Sequence, residues 1–368
     1  MTSHVTVPWA RPYFGSEERA RLLEVFESGW LSQGRVVREL EERVEKLTSS
    51  AYCLAVNSGT AALDIALKLF GVRPGDEIVV PAFSYIASAT CVLYQGATPV
   101  FADVDPVTYT LDPADVRRVI TPRTRGIVAV DYAGQAPPWD ELRAIASERG
   151  LFVVEDAAPS LGGRYRGRSL GTLGDVGITS FHVAKTFSAV EGGMVFTERE
   201  DLCRTAAMIR SQGESPTEKY WHPVLGHNYR MSDLHAAVGL AQLERYEEVL
   251  RSRADAAARY TAQFRGMADV RVPEVAPDNE HAWFLYPVLV PNRDAVRREL
   301  RERGIETNVS WPRPIYDQLP FAPFRQRTCP VSERICREVL CLPLYYGMTA
   351  DEQELVVKAL GEAVERCR

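Results

Sequence analysis

Between about residue 52 and residue 181, short apolar β-rich runs alternate with stretches of helical periodicity, and this alternation narrows the fold more than any other feature of the chain. Glu77–Val80, Pro99–Asp103, Gly126–Val130, Leu151–Glu155 and Gly177–Phe181 read as strands. Thr60–Phe70, Tyr85–Leu93, Asp112–Ile120 and Trp139–Glu148 read as helices; in the first, Ala62, Leu63, Ala66, Leu67 and Phe70 share one face. The pattern predicts an α/β architecture, a mostly parallel sheet with helices packed on it.

Helical periodicity also marks 16–28 and 35–47, where Val36, Val37, Leu40, Val44 and Leu47 recur. Ser28–Gly34 reads as the loop between them. Beyond the alternating region, Ser232–Phe264 reads as one long bridging helix and Val272–Asn279 as a Pro/Asp/Asn-rich link. Strands His281–Val290 and Glu306–Ser310 follow, with helices at Arg293–Arg303, Ser332–Val339 and Ala350–Glu365. This pattern is α+β. A chain of 368 residues exceeds the usual single core. The expected division is a large domain, 1–250, and a smaller C-terminal domain, 251–368.

A net charge of −6 gives no general attraction to nucleic acid or acidic membranes. No apolar run reaches the roughly 18–20 residues of a membrane helix, and Met1–Pro12 lacks a signal-peptide core. The seven cysteines are scattered and form no CxxC pair, so no metal site is expected. Buried thiols of a cytoplasmic protein are the expected reading.

Four groups of residues carry chemistry. Lys185 follows the strand-like run ending at Phe181, and Gly192-Gly193 lies just beyond. Asp156 ends the apolar run Leu151–Glu155, on the same edge of the predicted sheet, while Glu155 alternates to the other side. Ser58, Gly59 and Thr60 open a predicted helix, where backbone amides can hold an anion. Ser180 could donate to the same phosphate. Taken singly, Lys185 reads as a surface lysine, Asp156 as a turn or N-cap aspartate, and Ser-Gly-Thr as an ordinary helix start. Together they supply an amine for a carbonyl cofactor, an acid for a pyridine nitrogen and a phosphate cradle, the protein equipment of a pyridoxal 5'-phosphate (PLP) enzyme. Tyr85 or Phe83 could stack on the cofactor ring, the other being core. His182 reads equally as a core histidine and as a catalytic group.

Several further blocks occur in order: Ser28-Gly29-Trp30-Leu31-Ser32-Gln33-Gly34, Gly226-His227-Asn228-Tyr229-Arg230-Met231-Ser232-Asp233, and Leu340-Cys341-Leu342-Pro343-Leu344-Tyr345-Tyr346-Gly347. With the Lys185 and Asp156 motifs they resemble the DegT/DnrJ/EryC1/StrS sugar aminotransferases over nearly the whole chain. The resemblance implies a fold-type I PLP-dependent transferase. Lys185 matches the lysine bonded to the cofactor, Asp156 the pyridinium partner, and Gly59, Thr60 and Ser180 the phosphate site. Tyr85 matches the stacking position, and Asn228 the asparagine that reaches the phosphate from the neighbouring subunit of a homodimer with a shared active site. The implied reaction moves an amino group from L-glutamate to the ketone of a nucleotide-linked deoxysugar, with a 4-keto sugar favoured. The run Gln212–His222 is similar to the 4-aminosugar branch, including perosamine-type synthases. Arg230, Arg313 and Tyr316 are candidate substrate contacts.

Two positions depart from the family pattern. Pro159 stands where Gln, His or Glu is frequent, and it has no amide proton to donate; Ser160 is the candidate replacement. Ser310-Trp311-Pro312-Arg313-Pro314 stands where many relatives read His-Tyr-Pro-x-Pro. A sugar dehydratase of the same fold would carry histidine in place of Lys185. A cyclitol-ketone aminotransferase and a noncatalytic PLP-binding regulator remain as alternatives.

Overall fold

A computed structural model describes residues 6–368; Met1–Val5, the start of the stretch read for a signal peptide, lie outside the described residues. Seven strands form the central sheet, in the order Tyr52–Val56, Gly193–Thr197, Val176–Ser180, Phe152–Asp156, Thr124–Val130, Glu77–Pro81 and Thr98–Ala102. The five strands from Val176–Ser180 to Thr98–Ala102 are parallel, and Gly193–Thr197 pairs antiparallel with both of its neighbours. Parallel neighbours need long crossovers; helices provide most of them, whereas the one from Phe152–Asp156 to Val176–Ser180 carries the short strands Arg164–Tyr165 and Arg168–Ser169 instead. The expected mostly parallel sheet is therefore present. The antiparallel Gly193–Thr197 strand has no counterpart in the sequence reading.

Strand residues alternate between two helical layers, as a pleat requires. Val80, Val128, Val154 and Ile178 pack on Leu63, Ile65, Val92 and Leu202, from helices Gly59–Leu69, Ala87–Tyr94 and Glu200–Arg210. Val79, Ile127, Ala129 and Val153 face Val116, Trp139, Leu142 and Ile145, from Pro113–Val119 and Trp139–Arg149. The C-terminal part pairs Tyr286–Leu289 with Val339–Leu342 and packs helices Tyr246–Phe264, Arg293–Glu302 and Ala350–Arg366 around them. The apolar clusters cross residue 250 in both directions. Val7 packs in the C-terminal core, whereas Ile315, Tyr316, Phe321 and Cys329 pack against the large sheet's helices and strands.

Three expected elements differ. The long helix is two, Asp233–Glu244 and Tyr246–Phe264, broken at Arg245, whose ψ of 8° leaves the helical region. The flanking side chains impose this break. Arg245 pairs with Glu18 and lies over the Tyr13 ring, while buried Tyr246 bonds Leu161 O. The His281–Val290 strand shortens to Tyr286–Leu289, because Trp283 takes a left-handed conformation (φ 50°) and Ala282 N–H turns to Gly134 O. Glu306–Ser310 forms no ladder; only Asn308 bridges, to Cys341.

One capping arrangement joins distant segments. Helix Arg35–Thr48 starts after Gly34, which has no side chain with which to cap it. Buried Asp233 does so instead, accepting from the amides of Gly34 (2.8 Å), Val36 (3.2 Å) and Val37 (3.0 Å). A carboxylate there also complements the helix dipole. Asp233→Ala is expected to destabilise the protein by about 2 kcal/mol, the cost of leaving buried amides without a charged acceptor. Denaturant midpoints would measure this, with Asp233→Asn retaining part of the stability.

Candidate active site

Val130, Asp156 and Ser180 are the last residues of three adjacent parallel strands, and all three line one cavity of about 330 Å³. The site therefore lies off the carboxyl edge of the sheet, where open α/β sheets bind ligands. The cavity brings together seven of the residues singled out by sequence: Ser58, Gly59, Thr60, Tyr85, Asp156, Ser180 and Lys185.

Lys185 rides on the connection that turns Val176–Ser180 into its antiparallel neighbour. Its backbone amide donates to His182 O (2.9 Å), and Val183 N–H pairs with Val190 O (2.9 Å). The ammonium lies 4.4 Å from the Phe284 ring centroid. Burial lowers its pKa to about 8, against the opposing pull of the Asp156 charge. Asp156 is itself buried, which raises its carboxyl above the ordinary aspartate range. A hydrogen bond from Ser88 Oγ (2.7 Å), another from Ala158 N–H (3.2 Å) and the charge of Lys185 act in the opposite direction. Ser88 is in turn held by Ser84 (2.9 Å).

Glu155 points away, as alternation predicts. It accepts from the amides of Gly171 (2.7 Å), Leu173 (2.6 Å) and Gly174 (3.2 Å), and so holds a loop rather than lining the cavity. Beside it, burial and then the charge of Glu155 push the Asp131 carboxyl well up.

The anion cradle is built from close approach. Ser58 caps helix Gly59–Leu69 through Oγ to Ala61 N–H (3.1 Å), leaving the amides of Gly59 and Thr60 in the first turn without intrahelical acceptors. A Cβ on Gly59 would stand 2.9 Å from Ser180 Cβ, and one on Gly193 would stand 2.7 Å from Gly59 N. These glycines let the helix start, Ser180 and Gly193 approach one another closely, which gathers the free amides and hydroxyls at one point. Tyr85 is 59% exposed on the cavity and Phe83 only 2%, so Phe83 is the core member of that pair. The amine, the carboxylate, the cradle and the open aromatic ring fit PLP. His182 lines the cavity with an exposed side chain whose Nδ1 accepts from Ala184 N–H (3.2 Å).

Four expected site residues lie outside the cavity. Asn228 is exposed and, through its carbonyl, accepts from Asn57 Nδ2 (3.2 Å). Arg230 is half-buried and its backbone bridges to Val56. Arg313 is exposed. Tyr316 is a core residue at 1% exposure. Its hydroxyl donates to Glu333 (3.0 Å) and accepts from Cys329 N–H (3.0 Å), which removes it from substrate contact in this chain. Ser160 does not replace the side chain missing at Pro159 either: its buried hydroxyl donates to Asp131 Oδ2 (2.9 Å).

Trp9, Ser88, Tyr132, Phe284, Leu285, Asn308 and Trp311 also line this site and are not among the expected site residues. Ser88 lies in the predicted helix Tyr85–Leu93 and Trp311 in the block Ser310–Pro314, whereas Trp9 arrives from an N-terminal segment with no periodic signal.

A mostly parallel sheet with a lysine, a carboxylate and an anion cradle at its carboxyl edge has the equipment of a PLP-dependent transferase. The chain belongs to the DegT/DnrJ/EryC1/StrS aminotransferase family, whose model matches residues 12–361. GDP-perosamine synthase of Caulobacter vibrioides is 37% identical over 362 residues, covering 96% of this chain and 97% of that protein. The structure of DesV from S. venezuelae superposes with a TM-score of 0.92 at 34% identity, covering 95% of each chain. The PLP-form structure of Spr1654 from Streptococcus pneumoniae gives a TM-score of 0.94 at 26% identity, covering 98% of this chain and 99% of that one. The protein is accordingly a PLP-dependent aminotransferase.

Gly59→Ala is expected to weaken PLP binding about tenfold to a hundredfold, the equivalent of roughly 1–3 kcal/mol of overpacking. Equilibrium dialysis of the cofactor against the variant checks this.

Proposed function

We propose that this enzyme transfers an amino group from L-glutamate to the C4 ketone of a nucleotide-linked deoxysugar. The carrying observation is the convergence of Lys185, Asp156 and the Ser58–Thr60 cradle on one cavity. The likeness to GDP-perosamine synthase supports the sugar class.

PLP, when bound, supplies an electron sink for negative charge at the carbon next to the amine. The chain supplies everything else. Lys185 Nζ would hold the cofactor, and the same amine would take and return the proton at the donor's α-carbon. Its lowered pKa suits both tasks, because more of the amine is neutral near neutral pH than in an ordinary lysine. Asp156 keeps the pyridine nitrogen protonated, and Ser88 holds that carboxylate in place. The amides of Gly59 and Thr60, with the hydroxyls of Ser58 and Ser180, would hold the phosphate, and Tyr85 would pack on the ring. In this reading a large domain, 1–250, carries the cofactor, and a small domain, 251–368, closes the cavity through Phe284, Leu285 and Trp311. Asn228, exposed and outside its own cavity, reaches the phosphate of a second copy across a homodimer. Lys185 itself stands against the dehydratase reading, which requires histidine there.

Lys185→Ala is expected to abolish turnover; sustained multiple turnover by that variant would sink the assignment. Adding L-glutamate to the PLP-loaded protein should bleach the yellow absorbance and release 2-oxoglutarate. A band indifferent to L-glutamate would remove it as donor. The pH dependence has a definite sign. Below pH about 8 Lys185 is mainly the unreactive ammonium, and above it mainly the free amine. Capture of PLP by the cofactor-free protein should therefore quicken as pH rises through about 8, as stopped-flow absorbance would show.

A further inference from the structure

A second, smaller space of about 40 Å³ adjoins the main cavity. Lys185, Phe284 and Trp9 line both and so form part of the partition between them. Arg253, from helix Tyr246–Phe264, lines only the smaller one and is 7% exposed. No carboxylate pairs with its guanidinium among the described residues. Burial lowers its pKa to about 10, and only the Tyr246 hydroxyl acts the other way. A buried charge without a counter-ion is costly, and hydrogen bonds have to offset it.

Those bonds converge on one turn. Arg253 Nε donates to Trp283 O and Nη2 to Phe284 O, each at 2.8 Å. Two consecutive carbonyls thus meet one rigid, planar fork, which a lysine cannot reproduce. The left-handed Trp283 (φ 50°) belongs to the turn that presents them. The loop after Val130 holds the same turn from elsewhere: Ala282 N–H donates to Gly134 O (2.8 Å) and Leu285 N–H to Ala133 O (3.2 Å). Phe284, fixed between these attachments, has its ring centroid 4.4 Å from Lys185 Nζ.

The ring acts on the amine in two opposite ways. Its face attracts the ammonium, whereas its bulk excludes water and so favours the free amine. Burial is the larger influence on Lys185, so water exclusion wins.

We propose that Arg253 is a positioning residue for Lys185: its fork fixes the Trp283–Phe284 turn, which seats the Phe284 ring on the amine and keeps water from it. Arg253 acts through Phe284 and carries no proton in the reaction. This rests on the reading that Lys185 holds PLP, and adds what prepares the amine to do so.

The titratable groups that share the main cavity with Lys185 are Asp156, His182, Glu191, Tyr85 and Tyr132; Arg11, Arg253 and Tyr345 share the smaller one. The substitutions below leave all of them in place except Arg253, whose charge Arg253→Lys preserves.

The test mixes the cofactor-free, full-length protein with PLP over a range of pH and follows capture by stopped-flow absorbance. Wild type should show its midpoint near pH 8. Phe284→Ala lets water reach the amine and should raise the midpoint by about one pH unit or more. Arg253→Lys keeps the charge but not the fork, and should raise it by about half a unit or more. Added to Phe284→Ala, the same change should move the midpoint by less than about 0.3 unit, because both act through one contact. A residue that only supports the fold would lower the denaturant midpoint and leave the pH midpoint where it was.

An unmoved pH midpoint in Arg253→Lys, or shifts that simply add in the double variant, would overturn the proposal. An unmoved midpoint in Phe284→Ala would overturn it too, and that variant leaves every bond from Arg253 to the backbone intact. Failure of the broader reading looks different: wild type then captures no PLP at any pH.

Discussion

Lys185 and Asp156 place opposite charges on the lining of one cavity, away from the open surface. Burial pushes the lysine toward the free amine and the aspartate toward the neutral acid, while their mutual attraction restores charge to both. Neither residue could be tuned this way on a solvated surface. The sheet makes the pairing possible: parallel strands end together, so side chains distant in sequence reach one edge. Ser88, reaching from the neighbouring helix, then fixes the carboxylate by a single hydrogen bond.

The sheet edge also explains how much of the site was legible in the sequence. The strand runs ending near Val130, Asp156 and Ser180 are apolar because both faces of the sheet are covered, so their period and their ends can be read directly. Asp156 and Lys185 could be placed from those ends. Gly59 could be read as a cradle because a helix start announces itself through Ser58. These residues together pointed to the cofactor, and the family blocks contributed the reaction, the amino donor and the sugar class. Trp9, Phe284 and Leu285 could not be found in this way. They come from irregular backbone, and irregular backbone has no period to betray which way a side chain faces.

The misread elements share a cause. Nothing in the apolar pattern of 232–264 signals a break, because the break at Arg245 is imposed by Glu18 and Leu161, which lie far away in sequence. Tyr316 looked like a polar handle near a family motif, yet its hydroxyl is satisfied inside the core by Glu333 and Cys329. Tertiary partners decided both cases, and a single chain read along its length cannot show tertiary partners.

The segment carrying Trp9 has a bearing on assembly of the molecule. Val7 bridges to Ile305, and Trp9 N–H meets Glu306 Oε2 (3.3 Å) across a separation of 297 residues. Contacts of such sequence separation close the largest loops, and they form only after the intervening chain has condensed. Trp9 also lines the active-site cavity, so the residue that ties the N-terminal segment to the C-terminal part is one that walls the site, and any loosening of that tie would open the cavity.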